Sequence, residues 1–191
     1  MPLTPDAGGM KSGIESKGGA QLQRAIKGGW RWADNFCQNT IGAEKKFTSD
    51  SRAIYFDGPG VSATDHSKMV VRLRTMDGKH VLTWKRRRPD TEARENEELE
   101  TEVGDFATAQ AILEQLGYRP GLEIEKRRTH YELGEAHFEL DEIPGEKPYL
   151  EIETHSVEGM RAACAKLGLR MEDGSPGTVQ ELFPKRFKVL R

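Results

Sequence analysis

Residues 68–87 read KMVVRLRTMDGKHVLTWKRR. Two runs of alternating polar and apolar residues flank an Asp-Gly pair, the signature of a tight β-hairpin. Alternate side chains of a strand share a face. The first arm, 68–76, therefore sets Met69, Val71 and Leu73 on one face and Arg72 and Arg74 on the other. The returning arm, 79–87, aligns Val81, Thr83 and Lys85 on one parity. The hairpin has one apolar face and one face that gathers cations.

The same two-step spacing of like charges recurs downstream. A strand over 95–103 carries Glu98, Glu100 and Glu102 on one parity, with Leu99 and Val103 opposite. A strand over 122–133 aligns Lys126 with Arg128, one over 136–143 contains Asp141, and one over 148–155 aligns Glu151 with Glu153. A short strand, 52–57, precedes the hairpin and closes at Gly58-Pro59-Gly60. Asp105 caps a helix over 106–116 with an apolar stripe of Phe106, Ala109, Ile112, Leu113 and Leu116, ended by Gly117. A second amphipathic helix spans 157–167 and stops at Gly168. A short helix over 179–183 precedes a basic tail. Seven strands, two clear helices and mostly hairpin connections give an antiparallel α+β fold. Two-faced strands of this kind suit a barrel, which leaves no edges.

Composition narrows the function. Of 191 residues, 36% are hydrophobic and 31% charged, and the net charge is −2. That balance argues against a general nucleic-acid or membrane-surface binder. The two cysteines, Cys37 and Cys164, lack the spacing of a disulfide framework or zinc site and read as inert thiols. No apolar run is long enough to span a bilayer, and the N-terminus has no apolar signal core, so the expected location is cytoplasmic. Residues 1–20, rich in Gly, Ser, Pro and Lys, read as a disordered leader, and 21–191 as a single domain. Residues 21–47 show no clean period, with Gly28-Gly29 interrupting any helix among Trp30, Trp32 and Phe36.

Six short motifs, taken in order, resemble the CYTH family, the triphosphate tunnel metalloenzymes. They are Ile54-Tyr55-Phe56-Asp57, Val71-Arg72-Leu73-Arg74, Leu82-Thr83-Trp84-Lys85, Glu98-Leu99-Glu100-Thr101-Glu102, Glu125-Lys126-Arg127-Arg128 and Leu150-Glu151-Ile152-Glu153. The family includes thiamine triphosphatases, inorganic tripolyphosphatases and class IV adenylate cyclases. The resemblance runs from about residue 41 to 187. It implies a tunnel-like antiparallel barrel of eight strands, or of seven without the first, with flanking helices. It further implies a small-molecule triphosphate as substrate, Mg²⁺ or Mn²⁺ as cofactor, a monomer or homodimer, and no nucleic-acid or membrane partner. By resemblance the triphosphate is gripped by Arg72, Arg74, Lys85, Lys126 and Arg128, with Lys85 and Lys126 as the catalytic pair. The metal falls to Glu100, Glu102, Asp141, Glu151 and Glu153.

One departure stands out. The family's first strand reads Glu-x-Glu-x-Lys, and no such string occurs here. The expected place holds Gln21, Gln23 and Ala25, while a partial match, Glu15-Ser16-Lys17, lies upstream. Glutamine keeps the shape of glutamate without its charge.

The residue chemistry suits the implied ligand. Arginine offers phosphate a fixed fork of donors, lysine a compact mobile charge, and magnesium takes oxygen ligands. A single Glu-x-Glu or Arg-x-Arg pair is ordinarily a solvated strand face; here cationic and acidic pairs occupy separate strands that must be neighbours. Arg86, Arg87 and Arg88 read as loop-end charges, Glu98 as a rim residue, and Tyr55 and Trp84 as packing. His130, His137 and His155 share the charged parity and read as hydrogen-bonding partners. Three functions stay open: a metal-dependent phosphohydrolase of triphosphates, a class IV-like adenylate cyclase releasing cyclic AMP and pyrophosphate from ATP, and an inactive polyphosphate- or nucleotide-binding barrel.

Overall fold

A computed structural model describes residues 20–25, 29–65, 69–87, 96–175, 179 and 188–190. The expected leader lies outside them except for Ala20, as do the 179–183 helix apart from Val179, Arg88 and the loop after it. The described strands are β1 (Ala20–Ala25), β2 (Glu44–Asp57), β3 (Met69–Met76), β4 (Lys79–Arg87), β5 (Asn96–Val103), β6 (Arg119–Leu133), β7 (Ala136–Glu142), β8 (Tyr149–Thr154) and β9 (Lys188–Val189). The α-helices are α1 (Gly29–Asn35), α2 (Phe106–Gln115) and α3 (Val157–Lys166). The architecture is α+β, with one antiparallel sheet and flanking helices.

The strands run in the order β1-β8-β7-β6-β2-β3-β4-β5, and β9 adds to β6. Hairpins build most of it. Asp77 and Gly78 both take positive φ, 51° and 74°, as a two-residue turn matched to the strand twist requires. The long strands β2 and β6 pair along almost their whole length, from Glu44 opposite Glu132 to Asp57 opposite Arg119. That pairing joins the β3–β5 wall to the β7–β8–β1 wall. Among the described residues no ladder joins the path's ends, β1 and β5. The sheet is nonetheless strongly curled. Lys85 on β4 acts electrostatically on Glu153 of β8, five places away along the sheet.

Three apolar clusters back the sheet. One packs Tyr131, Phe138, Leu140, Leu150 and Ile152 under Met160, Ala163 and Cys164 of α3, with Ala33 and Cys37 alongside. A second packs Ile54, Phe56, Val71 and Leu73 against Ala109 and Leu113 of α2. The third gathers Leu122, Ile124, Ile143 and Tyr149 near Ala63. Both longer helices have the expected caps: Asp105 accepts from Thr108 N at 2.7 Å, and Ser156 from Gly159 N at 3.0 Å. Cys37 and Cys164 are buried free thiols, and burial pushes Cys37 up to about 12.

The unreadable stretch proves structured. β1 pairs antiparallel with β8, setting Gln21 opposite Glu153, Gln23 opposite Glu151 and Ala25 opposite Tyr149. The stretch 21–25 is therefore a strand at the end of the sheet, beside β8. β2 begins eight residues before the expected 52–57. Its first half is exposed on nearly every residue, so it has no apolar alternation to betray it and is held by its ladder to β6.

Candidate functional site

Cross-strand partners share a face, and the registers place the charged positions on one. Arg72 opposes Thr83, and Thr83 opposes Glu100; Lys85 opposes Glu98. Tyr55 opposes Arg72, and Ser51 opposes Lys126. Arg128 opposes Asp141, His130 opposes Glu139, and Glu139 opposes Glu151. The apolar clusters of α2 and α3 take most of the alternate parity, so this charged face lines the concave interior.

One wall carries Arg72, Arg74 and Lys85. Arg72 donates through Nη2 to Glu100 at 3.2 Å and to Thr83 at 3.1 Å, and Thr83 Oγ1 lies 2.8 Å from the same carboxylate oxygen. Arg74 Nη2 is 3.9 Å from Glu100, and Lys85 Nζ is 2.7 Å from Glu98. The Nε atoms of both arginines are buried without a hydrogen-bond acceptor among the described residues. Buried donors of this kind normally find a partner, so the wall has capacity for more anionic oxygen than the protein supplies. The charge of Arg72, then burial, pulls Arg74 down to about 10. Burial opposes ionisation of Glu100, yet hydrogen bonds involving Glu98 and Thr83 and the charges of Arg72 and Lys85 hold it near 2.

The facing wall is organised by Arg128. It donates through Nε and Nη2 to the two oxygens of Asp141, both at 2.7 Å, and through Nη2 to Glu151 at 3.0 Å; Nη1 contacts Glu139. Lys126 Nζ holds Asp141 at 2.5 Å. Burial disfavours the charged form of Arg128, but Asp141, Glu139 and Glu151 outweigh it and raise it well above the ordinary value. The Tyr55 phenol sits among Arg72, Lys126 and Lys85, whose charges, against burial, lower its pKa. Arg74 and Arg128 repel across the gap, so the two walls bound a common lumen. A groove of about 660 Å³ is lined by Ser51, Arg52, Lys126, Arg127, Glu142 and Gly145.

The acidic candidates divide. Glu151 and Glu153 converge with Glu139, their carboxylate oxygens all within 4.8 Å of one another. Burial, then the neighbouring Glu139 and Glu151 charges, raises Glu153 to about 7. Three carboxylates repelling in a largely dry site, with oxygen donors alone, fit a hard divalent cation. Glu100 and Glu102 lie apart on β5: Glu100 faces the arginines, and Glu102 is an exposed partner of Lys79 at 3.0 Å. Asp141 is fully buried and held by Lys126 and Arg128. Glu98 is drawn inward by Lys85, its side chain 13% exposed. Sequence reasoning missed Glu139, although it sits between His137 and Asp141 on the same parity.

Known proteins can be set beside this geometry. A provisionally named adenylate cyclase of Methanocaldococcus jannaschii is 30% identical over 112 residues, 58% of this chain and 61% of that protein, so the match spans less than two thirds of the relative. The PH1012 protein of Pyrococcus horikoshii superposes with a TM-score of 0.71 at 26% identity, covering 86% of this chain and 98% of that one. The Hippeastrum protein HpAC1, described as having a dominant triphosphatase activity, shares the fold at a TM-score of 0.59 and 17% identity, covering 87% and 94%. A family model for the CYTH domain matches residues 34–178. The chain belongs to the CYTH domain family.

Proposed function

We propose that this protein is a divalent-metal-dependent phosphohydrolase that takes a triphosphate, such as tripolyphosphate, thiamine triphosphate or a nucleoside triphosphate, into the lumen. The observation that carries the reading is the wall of Arg72, Arg74 and Lys85 facing Lys126 and Arg128, with two buried arginine Nε donors left over.

A triphosphate brings several negative charges, and a partly dry lumen tolerates them only with compensating cations. Arg72 and Arg74 would bind phosphate oxygens through their unused donors. Lys126 and Lys85 would follow the charge that builds on the leaving oxygens, as phosphoryl transfer asks chiefly for position and electrostatic stabilisation. Tyr55 would offer its hydroxyl to the same oxygens. Glu139, Glu151 and Glu153 would hold Mg²⁺ or Mn²⁺, which when bound supplies charge neutralisation and a polarised phosphoryl oxygen. Arg128 holds Glu139 and Glu151 in place, and its charge, against burial, favours the ionised form of Glu139.

The neutral Gln21 and Gln23, in register with Glu153 and Glu151 on β1, favour a second reading, a barrel that binds polyphosphate without turnover. The experiment is incubation of the full chain with tripolyphosphate, thiamine triphosphate and ATP, each with Mg²⁺ or Mn²⁺. Release of orthophosphate supports the hydrolase. Cyclic AMP with pyrophosphate would make it a cyclase, a reaction that needs the same cage. Binding without product would support the second reading. No binding of any of the three would remove both.

A further inference from the structure

We infer that the β6–β7 hairpin carries a second metal site, formed by His130, Glu132 and His137, that takes a transition-metal ion of the Zn²⁺ class. It lies beside the carboxylate cluster at the end of the lumen away from Lys126, and it does not depend on the triphosphate reading.

The hairpin preassembles the donors. His130 and Glu132 are two residues apart on β6 and share a face, and His137 on β7 stands opposite Glu132. Gly134, at φ 61°, makes the turn between them. One ligand atom from each residue falls within 4.8 Å of the others. His130 Nε2 is 3.4 Å from Glu132 Oε1 and 3.4 Å from His137 Nδ1. Metal bonds of about 2.0–2.1 Å in a tetrahedron give ligand separations of about 3.3–3.4 Å. Two edges already have that length.

The surroundings are those of ligating groups. A metal-binding histidine commonly turns its second ring nitrogen toward a carboxylate, which fixes tautomer and orientation. His130 Nδ1 is buried and faces Glu139 Oε1 at 3.6 Å, so the tautomer with its proton on Nδ1 would turn the Nε2 lone pair toward the cluster. Phe47 stacks on the His130 ring at 5.0 Å and 11°. Lys46 engages the other oxygen of Glu132, Oε2, at 3.3 Å, which directs Oε1 inward. His155 packs edge-on to His137, 6.5 Å between centroids. Glu132 is 37% exposed, so the fourth position opens to water. Two imidazoles and one carboxylate prefer Zn²⁺ or its neighbours to Mg²⁺, whereas the Glu139–Glu151–Glu153 set prefers the reverse. Glu139 borders both sets, but it is a ligand atom donor only in the carboxylate one.

The test is titration of the full chain with Zn²⁺ in the presence of excess Mg²⁺, followed by calorimetry, together with the visible spectrum of the Co²⁺-loaded protein. One Zn²⁺ should bind despite the Mg²⁺. His130→Ala and His137→Ala should each weaken it at least tenfold, and Glu151→Gln should leave it within about twofold. The Co²⁺ spectrum of the unaltered chain, which needs no variant to fold, should show intense four- or five-coordinate bands with nitrogen ligation. Wild-type Zn²⁺ affinity in both histidine variants would overturn the proposal. So would full displacement of Zn²⁺ by Mg²⁺, loss of Zn²⁺ on Glu151→Gln, or a weak octahedral all-oxygen Co²⁺ spectrum.

Discussion

Replacing Glu153 by Gln should make the protein more stable in alkaline, metal-free solution and leave it unchanged in acid. Burial and the adjoining Glu139 and Glu151 charges raise this carboxyl from 4.5 to about 7. Between those values the native state keeps a proton that the unfolded chain has released. Stability therefore falls as pH rises through that window, and the loss is complete above about 7. Each pK unit corresponds to about 1.36 kcal/mol, which sets a ceiling of ~3 kcal/mol; Glu153 is partly exposed, and screening brings the expectation to about 1–3 kcal/mol. The glutamine side chain is nearly isosteric with the protonated acid, so the two proteins should coincide near pH 4 and diverge toward pH 8. Urea unfolding at a series of pH values in EDTA measures the difference. Added Mg²⁺ should narrow it by offsetting the carboxylate repulsion. Parallel stability curves across the whole range would refute the argument, because they would mean that Glu153 ionises as freely folded as unfolded.

Other substitutions probe different parts of the same molecule. Arg128→Ala strands Glu139, Asp141 and Glu151 without their shared cation and should cost about 3–5 kcal/mol in chemical denaturation. Arg74→Met should lower tripolyphosphate affinity about 10–100-fold in calorimetry, the worth of a charge-assisted hydrogen bond. The same variant should leave the ligand-free melting temperature level or raise it, since at neutral pH Arg74 is charged against Arg72. Gly121→Ala would place a Cβ 2.1 Å from Asp57 Oδ2 and 2.6 Å from Ala63 Cβ, and should cost about 1–3 kcal/mol through overpacking; a melting temperature equal to wild type would show that the Asp57–Ala63 turn yields.

What the sequence disclosed follows from the period of a strand. Arg72 and Arg74, or Glu151 and Glu153, announce a shared face because every second side chain points the same way. The Asp77-Gly78 turn fixes the register between β3 and β4 to the residue. Parity does not say which strands end up opposite one another. Asp141 looks like Glu151 in sequence, yet Lys126 and Arg128 claim it, while Glu139 joins Glu151 and Glu153. Glu100 and Glu102 read as ligands and lie across the lumen from that cluster or out at the rim. The start of β2 was hidden because it is polar on both faces, and β1 because six residues are too few to establish a pattern before Gly28. The histidines were legible as sharing the charged parity but not as a cluster, since only the folded β6–β7 hairpin brings Glu132 opposite His137.

The cations of the lumen are already spoken for: Arg72 by Glu100, Lys85 by Glu98, Lys126 and Arg128 by Asp141. On the triphosphate reading, an arriving anion would find the Nε donors of Arg72 and Arg74 open and would otherwise have to displace a carboxylate. A lone orthophosphate would contend with one such pairing at a time and gain little, whereas a chain of linked phosphates would unseat several in a single event. Discrimination by length would then follow from the resting protein, whose lumen cations are paired with carboxylates beforehand.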